Sequence, residues 1–308
     1  IHKPASWTPL TAYRFAQLAL EAGLPSGALN VVTGPGDTVG SALVAHRLVD
    51  KVSFTGETAT GKKIMRDCAE TMKRVSLELG GKSPHIVFAD AIDLDAASAA
   101  AARGVCTNQG QICWAGSRLF VEKAVHAPFV EKLIERVITD WRIGDPMEPS
   151  TGMGPLISST HRDRVEGFIE EGKRGGAEMV LGGPRPEGKG YFVRPTVFDN
   201  ANNQMKIARE EIFGPVLSVI PFDNLEDLIE QANDSCYGLV AGIWTGNITK
   251  AHRLARVLRA GSVWINTYGP QGVAAPFGGM KQSGLGRELG QEVLQLYTET
   301  KSVQVGLE

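Results

Sequence analysis

With 308 residues, 43% of them hydrophobic and 21% charged, the chain holds enough apolar material for one large core or two ordinary ones. A formal net charge of −2 with interspersed signs leaves no basic stripe for nucleic acid. No apolar run reaches bilayer length, so neither nucleic acid nor a membrane is an expected partner.

Four cysteines (Cys68, Cys106, Cys113, Cys236) form no C-x-x-C pair and no secreted framework, which favours free thiols in a reducing, cytoplasmic setting. Six histidines occur without H-E-x-x-H or a Cys/His cluster, and no metal site is expected. The opening Ile1-His2-Lys3-Pro4 reads as the end of a strand with neither an initiator Met nor signal-peptide character. The expectation is a portion of a longer protein.

Apolar residues at helical spacing predict a helix from Pro9 to Gly23, followed by a β-rich stretch, Leu29 to Thr33. The turn Gly34-Pro35-Gly36 leads to a helix ending near His46. Strand Val49–Phe54, helix Glu57–Met72 and strand Arg74–Leu79 continue a βαβαβ run, so the first 79 residues read as part of a parallel, doubly wound sheet. After Gly80-Gly81 come strand His85–Phe88, an Ala-rich helix from Asp93 to Cys106, strand Arg118–Glu122 and helix Val125–Asp140. Pro and Gly then become dense around one amphipathic helix, His161–Lys173. Alternation resumes with strand Val216–Pro221, helix Leu225–Ser235, strand Leu239–Thr245, helix Ile248–Leu258 and strand Ser262–Asn266. A Gly-rich stretch and a β-like segment, Lys301–Val305, close the chain.

Cys113 lies in the polar turn Asn108-Gln109-Gly110-Gln111-Ile112-Cys113-Trp114-Ala115-Gly116, between a helix and a strand. On chemistry alone it is either an exposed thiol or, as free cysteines more commonly are, a small buried residue. Glu78, before Gly80-Gly81, is either a solvated edge charge or a desolvated base. The turn Phe54-Thr55-Gly56-Glu57 opens a helix whose free N–H groups favour a pyrophosphate. Gly34-Pro35-Gly36-Asp37-Thr38-Val39-Gly40 misses the dinucleotide fingerprint by one residue and is not read as a phosphate loop.

Taken with Glu78-Leu79-Gly80-Gly81-Lys82-Ser83-Pro84, Glu211-Ile212-Phe213-Gly214-Pro215-Val216 and Pro276-Phe277-Gly278-Gly279 to Ser283-Gly284, the Asn108 to Gly116 segment resembles the aldehyde dehydrogenase superfamily, motif for motif and in order. The resemblance implies an α/β fold with a partial Rossmann-like NAD(P)-binding domain (1–79), an α/β catalytic domain (80–281) and a C-terminal return with an oligomerisation strand (282–308). It implies an NAD(P)-dependent oxidoreductase converting an aldehyde to a carboxylic acid, with Cys113 as nucleophile and Glu78 as the base that activates water. It assigns cofactor contacts to Lys3, Ser6, Thr55, Gly56, Glu57, Leu79, Glu211 and Phe213, with NAD as cofactor and NADP left open, because Ser6 stands where NAD-preferring members often carry Glu. It further implies a small-molecule aldehyde substrate and a homodimer or homotetramer.

Three positions depart from the pattern: Ser6, Glu57 where Ser is common, and Trp114, which reads equally as pocket wall or core filler. The family's oxyanion-hole Asn lies upstream of Lys3; Asn108 is expected to stabilise its own turn instead. Two rival readings are a catalytically dead scaffold, which the retained Cys113, Glu78 and Glu211 oppose, and a thiol acyltransferase or hydrolase, for which no histidine motif pairs with Cys113.

Overall fold

A computed structural model describes residues 1–307. The chain divides into two compact units, the first running from Ile1 to Leu77 and the second starting at Glu78; the boundary expected from sequence lay after residue 79.

The first unit contains α1 (Leu10–Glu21), a π-helical turn (Gly36–Gly40) running into α2 (Ser41–Ala45), β1 (Lys51–Thr55), α3 (Thr58–Ala69) and β2 (Arg74–Glu78), with β1 and β2 as sheet neighbours. The strand expected over Leu29–Thr33 is a single parallel bridge, His2 to Val31. Its ladder is limited to His2 N–H donating to Asn30 O (2.7 Å) and Val32 N–H donating to His2 O (3.0 Å). Pro4 brings no N–H to extend it.

The second unit is built on a seven-stranded sheet. In chain order its elements are β3 (Pro84–Val87), α4 (Leu94–Cys106), β4 (Arg118–Glu122), α5 (His126–Asp140), α6 (Ser159–Arg174), β5 (Glu178–Leu181), β6 (Thr196–Asp199), α7 (Lys206–Arg209), β7 (Val216–Phe222), α8 (Leu225–Asn233), β8 (Val240–Trp244), α9 (Ile248–Val257), β9 (Ser262–Ile265) and α10 (Glu292–Tyr297). The strand order is β5-β6-β7-β4-β3-β8-β9, with every pairing parallel except that of the edge strand β5. Parallel strands covered on both faces must be apolar throughout, and β4, β7 and β8 carry the near-continuous hydrophobic runs that this requires.

Successive strand residues feed opposite layers. Ile86, Phe120, Ile220 and Ile243 pack with Val165, Phe168, Leu228 and Leu254 of α6, α8 and α9. Val87, Leu119, Val121 and Val219 pack on the other face with Ala97, Ala101, Phe129 and Leu133 of α4 and α5. The alanines let α4 approach closely, and Asp93 caps it by accepting from Ala96 N–H at 2.8 Å.

Two strands, β5 and β6, were not expected; each is only four residues long and too short to show a period. The β-like segment expected at Lys301–Val305 forms no strand within the chain, and Val303 and Val305 are 76% and 77% exposed.

Candidate active site

The chemical residues of the second unit gather at the amino ends of its central strands. Glu78 to Gly81 precede β3, Cys113 precedes β4, Glu211 to Phe213 precede β7 and Leu239 precedes β8. These four strands are consecutive neighbours in the sheet. Open α/β sheets ordinarily use the carboxyl ends, so fold alone would have pointed to the wrong edge.

The turn that carries Cys113 is made by backbone geometry that few residues tolerate. Asn108, Gln109 and Gly110 all take left-handed φ values (50°, 57° and 71°), reversing the chain after α4. Asn108 Nδ2 donates to Gln111 O at 2.9 Å, and Gln111 N–H returns to Asn108 O at 2.9 Å, so Asn108 does stabilise its own turn. A Cβ at Gly110 would lie 2.3 Å from the Gly214 carbonyl. Glycine there lets the turn lie directly on the loop that carries Glu211 and Phe213.

The two glycines after Glu78 serve the same purpose. A Cβ at Gly80 would stand 2.1 Å from Glu211 Oε2, and one at Gly81 would stand 2.4 Å from Cys113 O. Gly81 N–H also donates to Glu211 Oε1 at 3.1 Å. The fourth motif closes the group: Leu79 N–H donates to Ser283 O (2.9 Å), Ser283 Oγ donates to Gly80 O (2.6 Å), and a Cβ at Gly278 would stand 2.6 Å from Glu78 Oε1. All four motifs thus meet around Cys113, Glu78 and Glu211.

Cys113 is half-buried. Burial, then the negative charges of Glu211 and Glu78, push its thiol up to about 11, with the backbone N–H groups of Cys113 and Trp114 acting in the opposite direction. Glu78 Oε2 is buried with no hydrogen-bond partner. Burial, with Glu288 adding to it and Arg287 opposing it, raises the Glu78 carboxyl to about 8. Leu79 is buried, which leaves its backbone rather than its side chain facing the neighbouring motif. Trp114 is half-buried and packs edge-on to Trp264 with ring centroids 6.1 Å apart, which ties it to the core as well as to its neighbour Cys113.

In the first unit Lys3 Nζ donates to Pro4 O (2.7 Å) and Gly34 O (3.2 Å), and Ser6 Oγ donates to Gly34 O (3.1 Å). Thr55 and Gly56 form the turn into α3, where Glu57 is the N-cap residue but makes no side-chain cap.

Sequence reading missed two residues of α6. Arg164 donates to Glu211 O (2.9 Å) and Ile212 O (3.1 Å), while the His161 ring bonds Phe213 O (2.6 Å) and meets the Phe213 ring edge-on. Three successive carbonyls are held by one helix, which supports Phe213 in its left-handed conformation (φ 58°). The only sequence signal was a His and an Arg three apart on an amphipathic helix, a pattern too common to single out. Lys82 was likewise read only as a motif residue. It is fully buried, its Nζ has no hydrogen-bond partner, and burial, reinforced by Arg118 and opposed by Glu211 and Glu210, lowers its amine to about 7.

The mostly parallel sheet thus carries a cysteine and two carboxylates at the amino ends of its central strands. The family model for the aldehyde dehydrogenase family matches residues 1–303, and the chain belongs to that family. It is 49% identical to the betaine aldehyde dehydrogenase of Brucella anthropi, over 99% of this chain and 63% of that one. It is also 49% identical to the mouse cytosolic aldehyde dehydrogenase 1, over 98% and 60%. Among solved structures, the indole-3-acetaldehyde dehydrogenase AldA of Pseudomonas syringae in complex with NAD+ and IAA superposes with a TM-score of 0.96 at 50% identity, over 99% of this chain and 62% of that one. The aldehyde dehydrogenase KauB of Pseudomonas aeruginosa gives 0.97 at 50% identity, over 99% and 62%. The α/β fold expected from the motifs is thus the fold found. The chain spans about three fifths of the length of the curated relatives it matches.

Proposed function

We propose that this chain is the catalytic portion of an NAD(P)-dependent aldehyde dehydrogenase that oxidises an aldehyde to a carboxylic acid. The observation that carries the reading is the convergence of a half-buried Cys113 with Glu78, a carboxylate kept buried and unpartnered on one oxygen. Relatives described as binding NAD+ share this fold.

The residues fit that cofactor in each unit taken by itself. In the first, the turn Thr55-Gly56 leads into the N-terminus of α3, where Glu57 makes no side-chain cap and the helix dipole favours a pyrophosphate, and Lys3 and Ser6 suit an adenosine ribose. In the second, Glu211 is a carboxylate able to accept from ribose hydroxyls, held in place by Gly81 N–H. When bound, the cofactor accepts hydride from the substrate carbon.

Cys113 Sγ–H releases its proton to solvent and the thiolate adds to the aldehyde carbon, forming a C–S bond while the carbonyl π electrons pass to oxygen as an alkoxide that the local N–H groups can stabilise. Loss of hydride leaves a thioester on Sγ. Glu78, once ionised, takes a proton from water, whose oxygen attacks the thioester carbon; the C–S bond breaks, the acid leaves and Sγ is regenerated. A carboxyl raised to about 8 is strong enough as a base for that step and remains partly ionised near neutral pH.

The reading extends to a cytoplasmic homodimer or homotetramer, supported by the free thiols and the exposed apolar C-terminal segment. Among the described residues no helix is long and apolar enough to cross a membrane. Reduced-nicotinamide absorbance in the full-length protein tests the reading with Cys113→Ala: turnover should vanish, and full activity would end the proposal.

A further inference from the structure

The nucleophile turn is anchored from a point far away in sequence. Tyr268, only 1% exposed, donates its hydroxyl to Trp114 O at 2.8 Å, 154 residues earlier. Its ring stacks on His85 with centroids 4.4 Å apart and planes 9° apart, and it meets Trp264 edge-on at 4.9 Å. Three glycines from separate elements make the slot. A Cβ at Gly104 of α4 would approach the ring to 3.3 Å, at Gly116 after the nucleophile to 2.9 Å, and at Gly242 of β8 to 2.4 Å. Arg103 also donates to Tyr268 O at 2.9 Å, fixing the backbone that carries the ring.

The neighbouring contacts explain what this anchor controls. Ala115 N–H donates to Ile112 O (3.1 Å) and Gly116 N–H donates to Gly104 O (3.1 Å), which closes the turn but leaves the Trp114 carbonyl to Tyr268. Gly81 meets the Cys113 carbonyl from the other side. Trp114 O and Ala115 N–H belong to one peptide plane, so Tyr268 fixes the plane whose N–H holds Ile112 O, and Ile112 O in turn shares its plane with Cys113 N–H.

We propose that Tyr268 is a positioning residue for the nucleophile: its hydroxyl, through Trp114 O, holds the Trp114–Ala115 peptide, whose N–H fixes Ile112 O and with it the peptide that presents Cys113 N–H to the sulfur and the oxyanion formed beside it. The inference rests on Cys113 being the nucleophile. His85 supports the seat as a neutral ring, since its Nε2 accepts from Trp244 Nε1–H at 2.9 Å and burial keeps its basicity far below the ordinary range, at about 3.

Tyr268→Phe keeps the ring and removes only the donor, leaving Trp114 O without its partner in a half-buried place. In the full-length protein we expect kcat to fall roughly tenfold or more, with cofactor affinity unchanged. Iodoacetamide alkylation of Cys113, followed by peptide mass against pH without substrate, should shift its midpoint upward because the thiolate loses donated hydrogen bonds. Glu78 and Glu211, which also act on the thiol, are untouched by the substitution. Gly116→Ala is the second variant: it retains the hydroxyl but forces the ring and the turn apart, and should move the alkylation profile the same way. An unshifted profile in either variant, with native circular dichroism, overturns the proposal. Alkylation reports on the turn whether or not the chain oxidises aldehydes, so a shifted profile in a protein whose Cys113→Ala form keeps full activity would overturn the dehydrogenase reading, and with it the nucleophile, while leaving Tyr268 as the anchor of the turn.

Discussion

Glu211 occupies the space that any side chain at Gly80 would need, for a Cβ there would stand 2.1 Å from Oε2 and 2.8 Å from the carboxyl carbon. The carboxylate is held against the Gly80-Gly81 backbone by the 3.1 Å bond from Gly81 N–H. Gly80→Ala should therefore expel Glu211 from its seat. A charge-assisted bond to the cofactor ribose would be lost with it, raising the NAD KM by about 10- to 100-fold while the aldehyde KM changes little. Steady-state kinetics with each substrate varied in turn checks this. A folded variant with unchanged NAD KM would show that Glu211 finds its position without this contact.

Glu78 makes the pH dependence specific. Its carboxyl is raised to about 8, so below that pH it is mostly protonated and cannot accept a proton from water. Thioester hydrolysis should rise about tenfold per pH unit on approaching 8 and level off above it. Glu78→Gln should abolish that rise and slow steady-state turnover while a first-turnover burst of reduced cofactor survives. Loss of the burst as well would move Glu78 to an earlier step. The same shift bears on folding. An unfolded carboxyl ionises near 4.5 and the folded one near 8, so its contribution to stability is full below 4.5 and is lost as pH rises through 8.

The four motifs were legible in the sequence because each is a run of consecutive residues. Their meeting was not, because it depends on side chains that are missing at Gly80, Gly81, Gly110 and Gly278, and a missing Cβ shows only when the opposing atom is known. Strand β4 was read to the residue, since Arg118 to Glu122 forms an apolar run closed by turn residues. Strand β6 was missed, although Val197 and Phe198 are buried, because four residues carry no period. The Leu29–Thr33 stretch had strand propensity but little partner backbone, and propensity without a ladder gives one bridge. Arg164, His161 and Tyr268 act through backbone carbonyls 47, 52 and 154 residues away, contacts that no local pattern encodes.

Cofactor choice should respond to Ser6. Its hydroxyl is engaged with Gly34 O, and beside it the Lys3 ammonium is a suitable partner for a 2'-phosphate. The unsubstituted protein should use both cofactors, with any preference for NAD below about a thousandfold in kcat/KM. Ser6→Glu places a carboxylate where it can accept from a ribose 2'-hydroxyl and repel a phosphate. The NADP kcat/KM should then drop at least tenfold relative to NAD, a change of about 1.4 kcal/mol. Equal effects on both cofactors would show that Ser6 does not face the 2' position.

The C-terminal segment supplies the last prediction. Residues 298–307 form neither helix nor strand, yet Val303 and Val305 alternate with Ser302 and Gln304 in the pattern of a strand with one apolar face. Both valines are more than three-quarters exposed, and Leu294 and Tyr297 of α10 just before them are 63% and 55% exposed. Apolar alternation on exposed backbone is the arrangement that invites addition to another sheet's edge. We therefore expect residues 299–308 to pair across a subunit boundary. Deleting them from the full-length protein should reduce the assembled mass measured by light scattering and lower activity, while Cys113 alkylation proceeds at its ordinary rate because the nucleophile turn contains none of these residues. A truncated protein of unchanged mass and activity would show that the segment is dispensable for assembly.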